Sequence, residues 1–292
     1  MSLSSSEKAD KSVPSILVID SGVGGLSICQ SIFALESRLQ LIYFADDAYF
    51  PYGLKDDEQL RQRLIKIVSQ MLNLHQPELV VLACNTVSTL LLPELRALFD
   101  VPFVGVVPAI KPAAKLSRTK NLGLLATPGT VKRPYTDKLI SDYASNCKVL
   151  RVGSSELVGL AEDFLSGQEV PETQLRSILL PFMRQESQVD TIVLGCTHFP
   201  LLGAHLNKVL PEIQWVDSGE AIANRVLSLL SLAEPCTLSY YPLDSSAHDK
   251  SCTHQIYFSG TKPDEFIFAR ALESLGIFNH QLNDFSFTAF EP

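Results

Sequence analysis

Short apolar runs alternate with amphipathic stretches along most of the chain. Residues 15–19, 41–45, 80–83 and 102–107 are rich in β-branched residues, leucine and aromatics, without the polar alternation of a half-exposed strand. Such runs predict strands covered on both faces, as in a parallel sheet. Between them the apolar period becomes helical. Residues 57–74 carry Leu60, Leu64, Ile67, Val68, Met71 and Leu72 on one stripe, and 26–35 and 88–99 are shorter examples.

The same succession returns after the Lys/Arg-rich segment 111–120. Residues 121–126, 148–152, 192–195 and 213–217 predict strands, and 134–143, 156–165, 172–185 and 204–210 predict helices. Strand, turn, helix, strand, helix, strand, helix, strand therefore occurs twice, which indicates an internal duplication of a parallel α/β unit. A final strand at 255–260 and helix at 263–275 have no counterpart in the first half and are expected to pack back onto it. The expected fold is α/β, with two pseudo-symmetric parallel-sheet domains and a cleft between them. The first domain takes residues 13–110 plus 228–292, and the second takes 111–227. Residues 1–12, polar and serine-rich, read as a disordered tail, and 235–252 as a loop.

The total of 292 residues suits two such domains. A net charge of −8 argues against non-specific nucleic-acid binding, which needs a basic face. No apolar run reaches the roughly 18–20 residues of a membrane helix. No secretory signal opens the chain, so a reduced, cytoplasmic setting is expected. The six cysteines form no CxxC pair and no disulfide-like framework.

Two cysteines stand apart because their surroundings mirror each other. Val80-Val81-Leu82-Ala83-Cys84-Asn85-Thr86 and Ile192-Val193-Leu194-Gly195-Cys196-Thr197-His198 each run from a buried strand through a small residue to a cysteine and then to polar residues. The carboxyl edge of an open α/β sheet is where ligands bind. A thiolate is a usable base and a thiol a usable acid. A cysteine at a helix N-terminus also feels a positive dipole, which is expected to lower its pKa. Two facing thiols suit a two-base inversion, in which one removes a proton from carbon and the other delivers one to the opposite face. No local signal for pyridoxal phosphate is present, so the chemistry is expected to need no cofactor and no metal. Ser21, Asn85, Thr86, Thr197 and the turn amides are candidate donors to a substrate carboxylate. His198, Asp20 and Asp46 are candidates to exchange protons with the thiols.

Plainer readings exist for each residue. A buried cysteine is usually a small hydrophobe, His198 could be a satisfied structural histidine, and Asp20 a turn cap. The Asp20-Ser21-Gly22-Val23-Gly24-Gly25 turn could cradle an anion or serve backbone geometry alone. Cys29, Cys147, Cys236 and Cys252 have no mirrored partner and read as structural or surface thiols. Metal or redox sensing by Cys84, Cys196 and His198 is the rival from another class, weakened because only Cys196 and His198 are close in sequence.

At these same residues the chain resembles the glutamate racemases of the cofactor-independent aspartate/glutamate racemase superfamily. The matching stretches are Asp20-Ser21-Gly22-Val23-Gly24-Gly25-Leu26, Tyr43-Phe44-Ala45-Asp46, Pro51-Tyr52-Gly53, Ala83-Cys84-Asn85-Thr86, Ala126-Thr127 and Leu194-Gly195-Cys196-Thr197-His198-Phe199-Pro200-Leu201. The resemblance implies interconversion of L- and D-glutamate for peptidoglycan, without a cofactor. It implies Cys84 and Cys196 as the acid/base pair, assisted by Asp20 and His198. It implies Ser21, Pro51, Tyr52, Gly53, Asn85, Thr86, Thr127, Thr197 and His198, with Asp20, as contacts to glutamate. Glu162 falls where the family has a glutamate near the cleft, although Gly159 stands where the family pattern leads one to expect proline. Lys132-Arg133-Pro134 also departs from the family pattern, at the cleft edge. A homodimer is the expected assembly, and a peptidoglycan precursor is a candidate activator.

Overall fold

The computed structural model describes residues 13–232 and 253–286. The expected tail at 1–12, the 235–252 loop, Cys236 and Cys252 lie outside the described residues. The first half runs β1 (Ser15–Asp20), α1 (Leu26–Phe33), β2 (Gln40–Ala45), α2 (Asp57–His75), β3 (Leu79–Leu82), α3 (Asn85–Leu98) and β4 (Phe103–Gly105). The second runs α4 (Ile110–Leu116), β5 (Asn121–Ala126), α5 (Pro128–Lys132), α6 (Pro134–Tyr143), β6 (Lys148–Gly153), α7 (Glu156–Leu165), α8 (Glu172–Met183), β7 (Thr191–Gly195), α9 (Gly203–Val209) and β8 (Gln214–Val216). The chain continues through α10 (Gly219–Leu229), β9 (His254–Phe258), α11 (Glu265–Ser274) and β10 (His280–Asp284).

Among the described residues these strands form two parallel sheets, ordered β10-β9-β2-β1-β3-β4 and β6-β5-β7-β8. The order β2-β1-β3-β4 repeats as β6-β5-β7-β8, so the duplication extends from element order to topology. Cys84 follows β3 and Cys196 follows β7, the matching strands of the two sheets. Thiols placed by the same geometry in each half thus emerge at the same sheet edge.

Alternation along the central strands explains why they are apolar throughout. In β1, Ile16 and Val18 face a core built with α1, α10 and α11, through Ile28, Ile32, Ala223, Val226, Phe268 and Leu272. Leu17 and Ile19 face the opposite core, against Leu60, Leu64 and Met71 of α2 and Leu91 and Leu95 of α3. Both faces are covered, so every β1 residue is buried. The second sheet is sandwiched likewise, by α7 and α8 on one side and α4 and α6 on the other.

Three elements differ from the sequence reading. The basic segment after β4 contains helix α4, whose Ile110, Ala113 and Ala114 pack under the second sheet. Helix α10 returns the chain to the first core through Ile222, Ala223 and Val226. Strand β10 is polar and half exposed, an edge strand with no apolar pattern to announce it. Among the described residues no helix is long and apolar enough to cross a membrane.

Candidate active site

Cys84 is the N-cap of α3, which begins at Asn85, three residues earlier than its apolar period suggests. Cys196 leaves β7 into the Thr197-His198 turn. Both thiols line one cleft between the two halves. Ser21, Pro51, Tyr52, Gly53, Asn85, Thr86, Thr127 and His198 line it too, with Val158 and Thr130. The last two were not singled out by sequence. Thr130 Oγ1 receives the Thr127 hydroxyl at 3.0 Å and lies 3.4 Å from Thr86 Oγ1, joining α5 of the second half to α3 of the first.

The two thiols have different partners. Cys196 Sγ lies 3.7 Å from His198 Nδ1, and His198 Nε2 lies 2.6 Å from Glu162 Oε1. Burial opposes a charge on His198, but its hydrogen bonds to Cys196 and Glu162 prevail and hold the imidazole well above its ordinary pKa. An imidazolium is thereby held beside Cys196, able to return a proton to its sulfur. On the other side, burial pushes the Cys84 thiol well up, and the charge of Asp20 adds to this. Amides of Val87 and Thr86 pull the other way and lose. The helix N-terminus therefore does not depress the Cys84 pKa as expected, because desolvation outweighs it. Cys84 rests as the protonated acid, next to a carboxylate that burial, partly offset by His198, raises to about 6.

The glycine turn serves this arrangement in an unexpected way. Its amides do hold anions, but these are the protein's own: Ser21 N–H and Gly25 N–H donate to Asp20 at 2.7 and 2.5 Å, and Val23 N–H donates to Glu162 at 2.8 Å. The glycines here have no left-handed backbone. They are needed for closeness. A Cβ at Gly22 would stand 2.2 Å from Glu162 Oε1, and one at Gly24 would stand 2.2 Å from His198 Nδ1. The first half's turn is thus the seat of the second half's imidazole–carboxylate pair. Thr197 adds to the same junction, its hydroxyl reaching Asp20 Oδ2 at 3.3 Å and its carbonyl accepting from Ser27 at 2.7 Å.

Asp46, like Asp20 and Thr197, is not among the residues that line the cleft. It is fully buried and its oxygens accept from Tyr52, Arg63 and Ser259, so it is committed to an internal ion pair away from the cleft lining. Asn85 shows the opposite pattern. It is 3% exposed, lines the cleft, and neither its amide oxygen nor its amide nitrogen has a hydrogen-bond partner among the described residues. At the cleft edge Arg133 reaches across the halves to pair with Asp57 through two bonds of 3.1 and 2.8 Å. The unusual Lys132-Arg133-Pro134 segment therefore adds a clasp at the rim.

Residues 16–226 match the model of the Asp/Glu/Hydantoin racemase family. The chain is 52% identical over 219 residues to the glutamate racemase of Pectobacterium atrosepticum, covering 75% of this chain and 77% of that one. It is 51% identical over 223 residues to the glutamate racemase of Klebsiella pneumoniae, covering 76% and 79%. Its fold resembles the crystal structure of Escherichia coli glutamate racemase in complex with L-glutamate and the activator UDP-MurNAc-ala, with a TM-score of 0.82 and 43% identity over 94% of this chain and 98% of that one. The glutamate racemase of Thermus thermophilus, in complex with β-chloro-D-alanine, superposes with a TM-score of 0.69 at 28% identity over 94% and 98%.

Proposed function

This chain belongs to the Asp/Glu/Hydantoin racemase family, among its glutamate racemases, and interconverts L- and D-glutamate; from that premise we propose that Cys84 and Cys196 are its two acid/base groups. The observation that carries this reading is the meeting of two thiols, from matching strands of the two sheets, in one cleft. In one direction a thiolate takes the α-proton and the opposing thiol gives its own to the other face of the carbon. In the reverse direction the roles exchange. Asp20 exchanges the proton of Cys84 and His198 that of Cys196, with Glu162 holding the imidazole in place.

Charge that develops on the substrate falls to neutral donors. Apart from His198, the described residues that line the cleft include no cationic side chain, so hydroxyls and the Asn85 amide receive the carboxylates. Asn85 can donate to a carboxylate and accept from an ammonium. We read the chain further as a cytoplasmic homodimer that supplies D-glutamate to peptidoglycan. The Escherichia coli relative's complex with UDP-MurNAc-ala supports a precursor of that polymer as its activator.

The test is direct. Purified chain without added cofactor, offered each enantiomer of glutamate and of aspartate, should invert glutamate. Aspartate, one methylene shorter, should react roughly 10–200-fold less efficiently. Preferential inversion of aspartate would contradict the reading. The pH profile carries a second expectation. Below about 6, Asp20 is protonated and cannot accept from Cys84, so kcat/KM should fall as pH drops through that value. This acid limb should be missing in Asp20→Asn.

A further inference from the structure

The cleft wall Pro51–Gly53 is held from outside the cleft. Tyr52 is 1% exposed and its hydroxyl is spent on Asp46 Oδ2 at 2.9 Å, so it offers substrate no free polar atom of its side chain. Asp46 also accepts two bonds from Arg63, from Nε at 2.7 Å and a terminal nitrogen at 2.6 Å, and one from Ser259 Oγ at 2.6 Å. Its own N–H donates to the Asp20 carbonyl at 2.8 Å. A single buried carboxylate thus ties the wall to the end of β1, to α2 and to the end of β9. The guanidinium that neutralises it lies 4.9 Å from the centre of the Tyr49 ring, while Tyr49 bonds Gln59 of the same helix. Across the cleft the wall meets the second half closely. A Cβ on Gly53 would stand 3.2 Å from Thr127, and one on Gly129 would stand 3.0 Å from the Gly53 carbonyl. The wall therefore has no slack, and a shift at Asp46 is passed on to the thiol-bearing cleft.

We propose that Arg63 is a positioning residue for the reaction, acting through Asp46 and Tyr52 to set the place of the Pro51–Gly53 wall against bound glutamate. This rests on the reading of that wall as part of the substrate site. Arg63 itself does not line the cleft. Its planar fork supplies both bonds to the carboxylate, which the single ammonium of a lysine cannot reproduce in the same geometry. A wall that contacts substrate but none of the migrating protons should act on binding more than on chemistry.

Steady-state racemisation of glutamate by Arg63→Met, Arg63→Lys and Tyr52→Phe tests this, with active enzyme counted as the folded fraction by circular dichroism and gel filtration. Arg63→Met should raise KM about 10-fold or more while kcat per active site stays within about 3-fold of wild type. Arg63→Lys should fall between, and Tyr52→Phe, which leaves the ion pair intact, should raise KM in the same sense. A residue that only stabilises the fold would lower the active fraction and leave KM per active site unchanged, and that outcome overturns the proposal. If Arg63→Met does not fold, Tyr52→Phe decides: an unchanged KM there overturns the route through Tyr52. Wild-type turnover reports separately on the reading of the site, so the two failures are distinguishable.

Discussion

Cys84→Ser and Cys196→Ser should each lower kcat/KM for glutamate by roughly 10²–10⁴-fold, the range that a positioned acid or base contributes. Serine fills nearly the same space, so the buried positions keep their packing, with Cys84 9% and Cys196 7% exposed. What is lost is a group whose proton can move. The hydroxyl at 84 would keep Asp20 near it and the one at 196 would keep His198, yet neither is acidic enough to exchange with carbon. The loss must be the same in both directions for kcat/KM, because the enantiomers are equally stable and the equilibrium constant between them is unity. A variant that slowed only one direction would break that constraint. Individual kcat and KM values remain free to differ.

His198→Asn should cost about 10²-fold, less than either cysteine because it serves one thiol and does not touch the migrating α-proton. The imidazole links the Cys196 sulfur at 3.7 Å to the Glu162 carboxylate at 2.6 Å. Asparagine can keep a contact to Glu162 but cannot carry a proton. Glu162→Gln tests the other end of the link. The Glu162 hydrogen bond is one of those that hold the His198 pKa well above its ordinary value. With glutamine there, the imidazole should lose its proton at lower pH. The charged form exists below the pKa, so the alkaline limb of the kcat/KM profile should move toward acid in Glu162→Gln. An unmoved alkaline limb would detach His198 from the reaction.

The cysteines, the turn before α1 and the doubled topology were legible in sequence because each is written locally. A β-branched run, a small residue, a cysteine and polar residues lie within seven positions in both halves. The rest of the site is assembled over distance. Glu162 reaches Val23 across 139 residues of chain and His198 across 36; the family resemblance pointed to it, but nothing in the residues around it on α7 names these partners. Nothing near Asp46 announces Arg63, 17 residues on and placed by the register of α2 against the sheet. The purpose of Gly22 and Gly24 was invisible for the same reason, since the groups that crowd them come from the other half. Desolvation was also beyond reach. The dipole of α3 could be foreseen at Cys84, but the burial that outweighs it depends on how the two halves close.

One measurement bears most directly on the two-thiol account. Each variant, Cys84→Ser and Cys196→Ser, would be held with L-glutamate and, separately, with D-glutamate in deuterated water, and the α-deuterium content of the unreacted enantiomer followed. A thiol that survives should still remove the proton on its own side and return deuterium without inversion. Cys84→Ser should then exchange one enantiomer only, and Cys196→Ser only the other. Exchange of both enantiomers by a single variant would mean that one base reaches both faces of the carbon, and would contradict the assignment of one face to each thiol.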